Sequence, residues 1–92
     1  MVIGTISVSD IYAYVLFNFG ATHSFISTIF IKQRDIVCKS IKIKLYVETP
    51  VHDILSTEIM CKSCNIGIGD RELPTDLMVL DMHDFDVILE MD

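Results

Sequence analysis

The chain has 92 residues, 51% of them hydrophobic, and a formal net charge of −6. That length allows one domain with a thin core, and that apolar content excludes a disordered chain. The charge is uneven: residues 1–47 carry five bases and two acids, a net +3, and residues 48–92 carry eleven acids and two bases, a net −9. So acidic a second half argues against a general phosphate-binding surface, and no nucleic-acid partner is expected. Lys32, Arg34, Lys39, Lys42 and Lys44 read as a solvated face.

Three cysteines and no signal peptide at the start make a secreted disulfide framework a poor fit. A reducing compartment fits better, so the expected location is intracellular, in the cytoplasm. Residues 11–31 contain no Asp, Glu, Lys or Arg and are long enough to span a bilayer. Asn18, Thr22, His23, Ser24, Ser27 and Thr28 interrupt that stretch, and polar groups at that depth are costly, so no membrane partner is expected. The ending Met91-Asp92 has no polar tail, as in a piece cut from a longer polyprotein.

In chain order, Val2 to Val8 alternates loosely, is rich in β-branched residues and predicts a strand. Ser9-Asp10 predicts a two-residue turn. Ile11 to Phe17 predicts a strand covered on both faces, running into a tight loop that presents Asn18. Ser24 can cap a short helix with Phe25, Ile26, Ile29 and Phe30 on one face and Lys32-Gln33-Arg34 at its C-terminal end. Asp35 follows where a left-handed residue is often needed. Ser40 to Val47 alternates cleanly, with Ile41, Ile43, Leu45 and Val47 on one side. Thr49 to Asp53 predicts a hairpin tip and Ile54 to Met60 the returning strand. Cys64–Ile68, Leu77–Leu80 and Phe85–Leu89 complete about seven strands and one short helix. Regular turn spacing with little helix predicts an all-β barrel or sandwich in a single domain over 1–92.

Four stretches then carry a resemblance: Val15–Ile26 (VLFNFGATHSFI), Thr49–Leu55 (TPVHDIL), Cys61–Gly69 (CKSCNIGIG) and Phe85–Asp92 (FDVILEMD). In order and spacing they resemble the retropepsin-like aspartic protease domain of gypsy-type LTR retrotransposon polyproteins. The resemblance implies a small closed β barrel working as a homodimer. Each subunit would give one Asp from an Asp-Ser/Thr-Gly loop, and a hairpin flap from each would close over an extended peptide. Two carboxylates held close together cannot both ionise, so they share a proton: the charged one draws a proton from water and the protonated one polarises the peptide carbonyl.

Four positions depart from that pattern. Asn18 stands at the family's catalytic Asp and cannot serve as a base. Phe19 stands where a Ser or Thr hydroxyl would brace the loop, Glu90 replaces a glycine after the last apolar strand, and His52 replaces a common flap-tip glycine. Gly20, Ala21 and Thr22 remain. The resemblance assigns Asn18, Phe19 and Gly20 to the catalytic loop and Ala21, Pro50, Val51 and His52 to substrate binding. The expectation is a decayed protease domain, proteolytically inactive, with a non-catalytic peptide-binding or dimerisation module using the same cleft as the alternative.

Other readings of these residues are blander or weaker. Asn18 also fits a simple loop cap, while deamidation to Asp is slow before Phe. Cys61 and Cys64 form a lone CxxC, and positions three apart on a strand point to opposite faces unless a turn intervenes, so no zinc is expected. Asp81, Asp84, Asp86, Glu90 and Asp92 lack the glycine and spacing of a calcium loop and read as solvated turn residues. Sequence neighbours such as His23 and Ser24 rarely adopt nucleophile–base geometry. No cofactor and no metal are expected, and the partners are a second copy of the chain and, in the cleft, an extended peptide.

Overall fold

The computed structural model describes residues 2–19, 23–48 and 54–91. These hold seven strands and one helix, in the order β1 (Val2–Val8), β2 (Ile11–Phe19), β3 (Ser24–Ser27), α1 (Thr28–Gln33), β4 (Lys39–Glu48), β5 (Ile54–Ile68), β6 (Arg71–Leu80) and β7 (Val87–Met91). Six strands run round a ring in the order β1-β2-β7-β3-β6-β5, and β5 returns to β1 through Ser7↔Gly67 and Val8↔Ile66. β4 lies outside the ring on β5, so β4 and the first half of β5 form an arm. The expected closed all-β barrel is therefore what the chain forms.

Local chemistry explains most of the ring. Ser9 and Asp10 have φ values of 49° and 68°, the paired left-handed geometry that lets a two-residue hairpin follow the right-handed twist of its strands. Their turn fixes the register Val8↔Ile11. Ile6, Val8, Ala13 and Val15 then point inward, while Tyr12 and Tyr14 point out. At the closure β5 crosses β1 at Gly67, where a Cβ would run into the Ser7 side chain. The close approach is to the Ser7 Oγ, the movable end of that side chain, while the Ser7 Cβ and carbonyl stand at ordinary contact distance.

The count of seven strands matches the sequence reading, but its members differ. Ser24 does not cap the helix. Ser24–Ser27 is β3, buried at every position, parallel to β6 and antiparallel to β7. The helix begins one turn later, where the Ser27 hydroxyl accepts from the Ile29 N–H at 3.2 Å. Phe25 and Ile26, assigned to the helical face, are thus strand residues, and of the helix only Phe30 is buried. The helix ends as expected: Asp35 has φ 53°, and the Ile36 N–H returns to the Ile31 carbonyl at 3.2 Å, a left-handed C-terminal cap. Arg34 lies over the Phe30 ring, 4.3 Å from its centroid.

Further along, the expected strands 54–60 and 64–68 are one strand, β5, whose register against β6 shifts between Cys61 and Cys64 around Ser63 at φ 54°. β6 begins at Arg71 rather than Leu77. Pro74 lies where β6 has β5 on one side and no strand on the other, so its missing N–H is tolerated. β7 begins at Val87, because Phe85 and Asp86 belong to the loop before it. On β4 the alternation breaks at Ile43, which is 66% exposed because the register against β5 shifts between Ser40 and Leu45.

The core has two parts. One fills the barrel and is built on Val8, Val15, Ile26, Phe30, Ile66, Leu77 and Val87, among others. The other is built on Leu16, Phe25, Met78, Leu80, Met82 and Ile88, with Ile41, Leu45, Val47, Leu55 and Met60 of the arm packed against it. The arm therefore folds over one apolar face of the barrel.

Candidate functional site

β2 and β7 run parallel, and their ladder pairs Leu16 with Ile88, Asn18 with Glu90 and Phe19 with Met91. Side chains on one strand alternate between faces, and ladder partners share a face. Leu16 and Ile88 are both buried in the second core cluster, so Asn18 and Glu90 extend from the same face, one rung further along. Asn18 is half-buried and Glu90 is exposed. The arm residues Leu45, Val47 and Leu55 close over that cluster, so the arm and the Asn18–Glu90 rung border one buried apolar cluster.

Ser24 fixes the rung from the other side. Its hydroxyl, 6% exposed, accepts from the Glu90 N–H at 3.0 Å. β3 pairs with β7 only at Phe25↔Ile88 and Ile26↔Val87, so the ladder has run out by Glu90 and this side chain replaces the next bond. Asp86 anchors the start of β7. Its carboxylate accepts from the Tyr14 N–H at 2.8 Å, its own N–H donates to the Tyr14 carbonyl at 2.9 Å, and its carbonyl accepts from the Ser27 N–H at 2.8 Å. Asp86 is thus a structural clasp between β2 and β3, which corrects its reading as a solvated turn residue. Asp81 and Asp84 are exposed, as that reading expects, Glu90 is exposed but lies on β7 rather than in a turn, and Asp92 lies outside the described residues.

His23 and Ser24 form no nucleophile–base pair. His23 is exposed with its ring 6.4 Å from that of Phe25, while Ser24 is buried on Glu90. Among the described residues no group of three His, Cys, Asp or Glu is placed to hold a metal ion. The CxxC residues part company: Cys61 is bonded to Cys38 across a Cα separation of 4.3 Å, and Cys64 is a buried free thiol. Both lie in the barrel core, because the bulge at Ser63 supplies the turn that brings positions three apart to one face. Burial, and then the Asp76 carboxylate, push the Cys64 thiol above its ordinary pKa.

Of the residues singled out from the sequence, the structure brings Asn18 to the rung beside Glu90 and carries Phe19 as the last residue of β2. Gly20, Ala21 and Thr22, with Thr49, Pro50, Val51, His52 and Asp53 of the expected hairpin tip, lie outside the described residues. Sequence reasoning missed the pinning role of Ser24 and the clasp at Asp86. The signal available for the first was two hydroxyl residues three apart, Ser24 and Ser27, of which only one can cap the helix.

A six-stranded ring with an outer hairpin arm folded over one face, bordered by the paired ends of β2 and β7, defines a retropepsin-type β barrel. The chain belongs to the retroviral aspartyl protease family, whose model matches residues 1–92. Solved structures share the fold. The EIAV protease in complex with the inhibitor HBY-793 superposes with a TM-score of 0.74 at 18% identity, covering 96% of this chain and 79% of that one. The retroviral protease-like domain of Ddi1 from Leishmania major superposes with a TM-score of 0.70 at 12% identity, covering 100% of this chain and 73% of that one. No curated protein sequence is a significant match.

Proposed function

We propose that this chain is a proteolytically silent, retrotransposon-derived member of the family, a domain that pairs with a second copy of itself and does not cut peptide bonds. The observation that carries this reading is Asn18 at the end of β2, in register with Glu90. Aspartic proteolysis needs two carboxylates sharing one proton, one to take a proton from water and one to polarise the scissile carbonyl. An amide does neither, and a homodimer of this chain repeats the loss in both halves. Phe19 deepens it, because a ring cannot make the hydrogen bond of a Ser or Thr hydroxyl.

A second reading keeps a peptide-binding role at the margin of the cluster that Leu45, Val47 and Leu55 of the arm cover, where Asn18 is half-buried and Glu90 exposed. An extended chain can be held by main-chain bonds at a strand end without being cleaved.

The test is incubation of an unfolded protein substrate with the chain and with the triple variant Asn18→Asp, Phe19→Ser, Glu90→Gly, at about pH 5 where an Asp pair shares its proton. The unaltered chain is expected to leave the substrate whole. Pepstatin-sensitive cleavage by it overturns the silent reading. Sedimentation of the same samples tests self-association, and a monomer at high concentration removes any composite site.

A further inference from the structure

We infer that the bond between Cys38 and Cys61 is a reversible latch on the arm: closed, it holds the arm down over the barrel, and cut by a low-molecular-weight thiol, it lets the arm lift. This holds whether or not the chain cuts peptides. The bond stands at the foot of the arm. Lys39 faces Met60 and Ser40 faces Ile59 there, so Cys38 and Cys61 are the next facing positions, and their Cα atoms are 4.3 Å apart. The sequence separation of 23 between them is the arm itself, β4 and the first half of β5, so the bond closes the arm into a ring. Cys61 also pairs with Leu77 of β6 and is fully buried in the barrel core, so the ring is fastened to the barrel wall.

Above its foot the arm is weakly held. Among the described residues, Ile54 to Ile59 of β5 pair with β4 alone, and that ladder breaks between Ser40 and Leu45. A two-stranded ribbon is marginal by itself, so the arm stays down by packing Ile41, Leu45, Val47 and Leu55 on the cluster of Leu16 and Ile88. A closed ring has few lifted conformations and an open one many, so cutting the bond favours the lifted arm. The chemistry is thiol–disulfide exchange. Cys61 has no exposure and Cys38 is half-buried, so a thiolate such as that of glutathione attacks the Cys38 sulfur. The S–S bond breaks, and Cys61 leaves with the electron pair and takes up a proton. A second glutathione thiolate then attacks the sulfur of the first, releasing the Cys38 thiol and oxidised glutathione. The reverse sequence closes the latch again. Cys64, in the same core, stays out of the exchange, because burial and then the Asp76 carboxylate keep its thiol protonated.

The test equilibrates the full chain with oxidised or with reduced glutathione and follows backbone hydrogen exchange by mass spectrometry. Thiol alkylation of the unfolded samples checks the state: Cys64 alone is labelled after oxidation, and Cys38, Cys61 and Cys64 after reduction. Reduction is expected to speed exchange in residues 39–48 and 54–60 about tenfold and to leave the β1–β2 hairpin unchanged. Cys38→Ser should exchange at the reduced rate in either buffer, while Cys64→Ser should respond as the unaltered chain does. Circular dichroism on each variant checks that it is folded. Equal arm exchange in the two states, equal speeding across the whole barrel, a bond mapped to Cys64, or a response that persists in Cys38→Ser overturns the latch.

Discussion

Replacing Ser27 by alanine removes two hydrogen bonds from one 3%-exposed side chain. Its hydroxyl accepts from the Ile29 N–H at 3.2 Å, capping α1, and donates to the Met82 carbonyl at 3.0 Å, tying the loop before β7 to the helix start. Loss of an N-cap costs about 1 kcal/mol. A buried carbonyl left without a partner costs about 1–2 kcal/mol more. Together these come to about 2–3 kcal/mol, and at about 4–8 °C per kcal/mol for a domain of this size Tm should fall by roughly 10–20 °C. Thermal unfolding followed by far-ultraviolet circular dichroism reads this directly. Ser27→Thr keeps a hydroxyl and should lose much less. Ser24→Ala gives up only the acceptor for the Glu90 N–H and should cost about 1 kcal/mol. A fall of less than about 3 °C for Ser27→Ala, well under 1 kcal/mol on that scale, or a larger fall for Ser24→Ala, would refute the reasoning and return the helix start to Ser24.

Two further outcomes follow from the structure. Asp10 sits at φ 68° in the β1–β2 turn, so Asp10→Gly should gain about 0.5 kcal/mol as relief of the left-handed strain outweighs the added chain entropy, seen as a small rise in Tm; a fall would show that the Asp side chain holds the turn. The Cys64 thiol is raised above its ordinary value in the folded chain, so above the pKa of the unfolded thiol the unfolded state holds fewer protons, and stability should decline as pH rises from there toward the folded value. Cys64→Ser should flatten that decline in melts taken across the alkaline range, and an unchanged slope would assign it to other groups.

How much of this could be read in the sequence depends on where each signal resides. Ser9-Asp10 and Asp35 were legible because turn and cap geometry is a property of two or three adjacent residues, and all three take the positive φ that such a turn and cap require. β3 was not: its four residues are buried on both faces, so no alternation marks them, and their spacing suits a helix equally well. Strand geometry prevails there because β6 and β7 flank Ser24–Ser27 and satisfy its backbone groups from both sides. The merger of two predicted strands into β5 rests on Ser63, a polar residue whose left-handed backbone carries no mark in its neighbours. Asp86 reads as one acid among several, and only the contact with Tyr14 separates it from Asp84.

The sequence by itself determined the class of fold, through β-branched strands and short turns, and it determined that an amide rather than an acid occupies position 18. The tertiary structure decided what stands beside that amide. Register between β2 and β7 sets Glu90 against Asn18, and the packing of the arm on Leu16 and Ile88 decides what the pair borders. These are consequences of long-range pairing, in which a shift of one residue would turn every side chain to the other face, and local sequence carries no record of that choice.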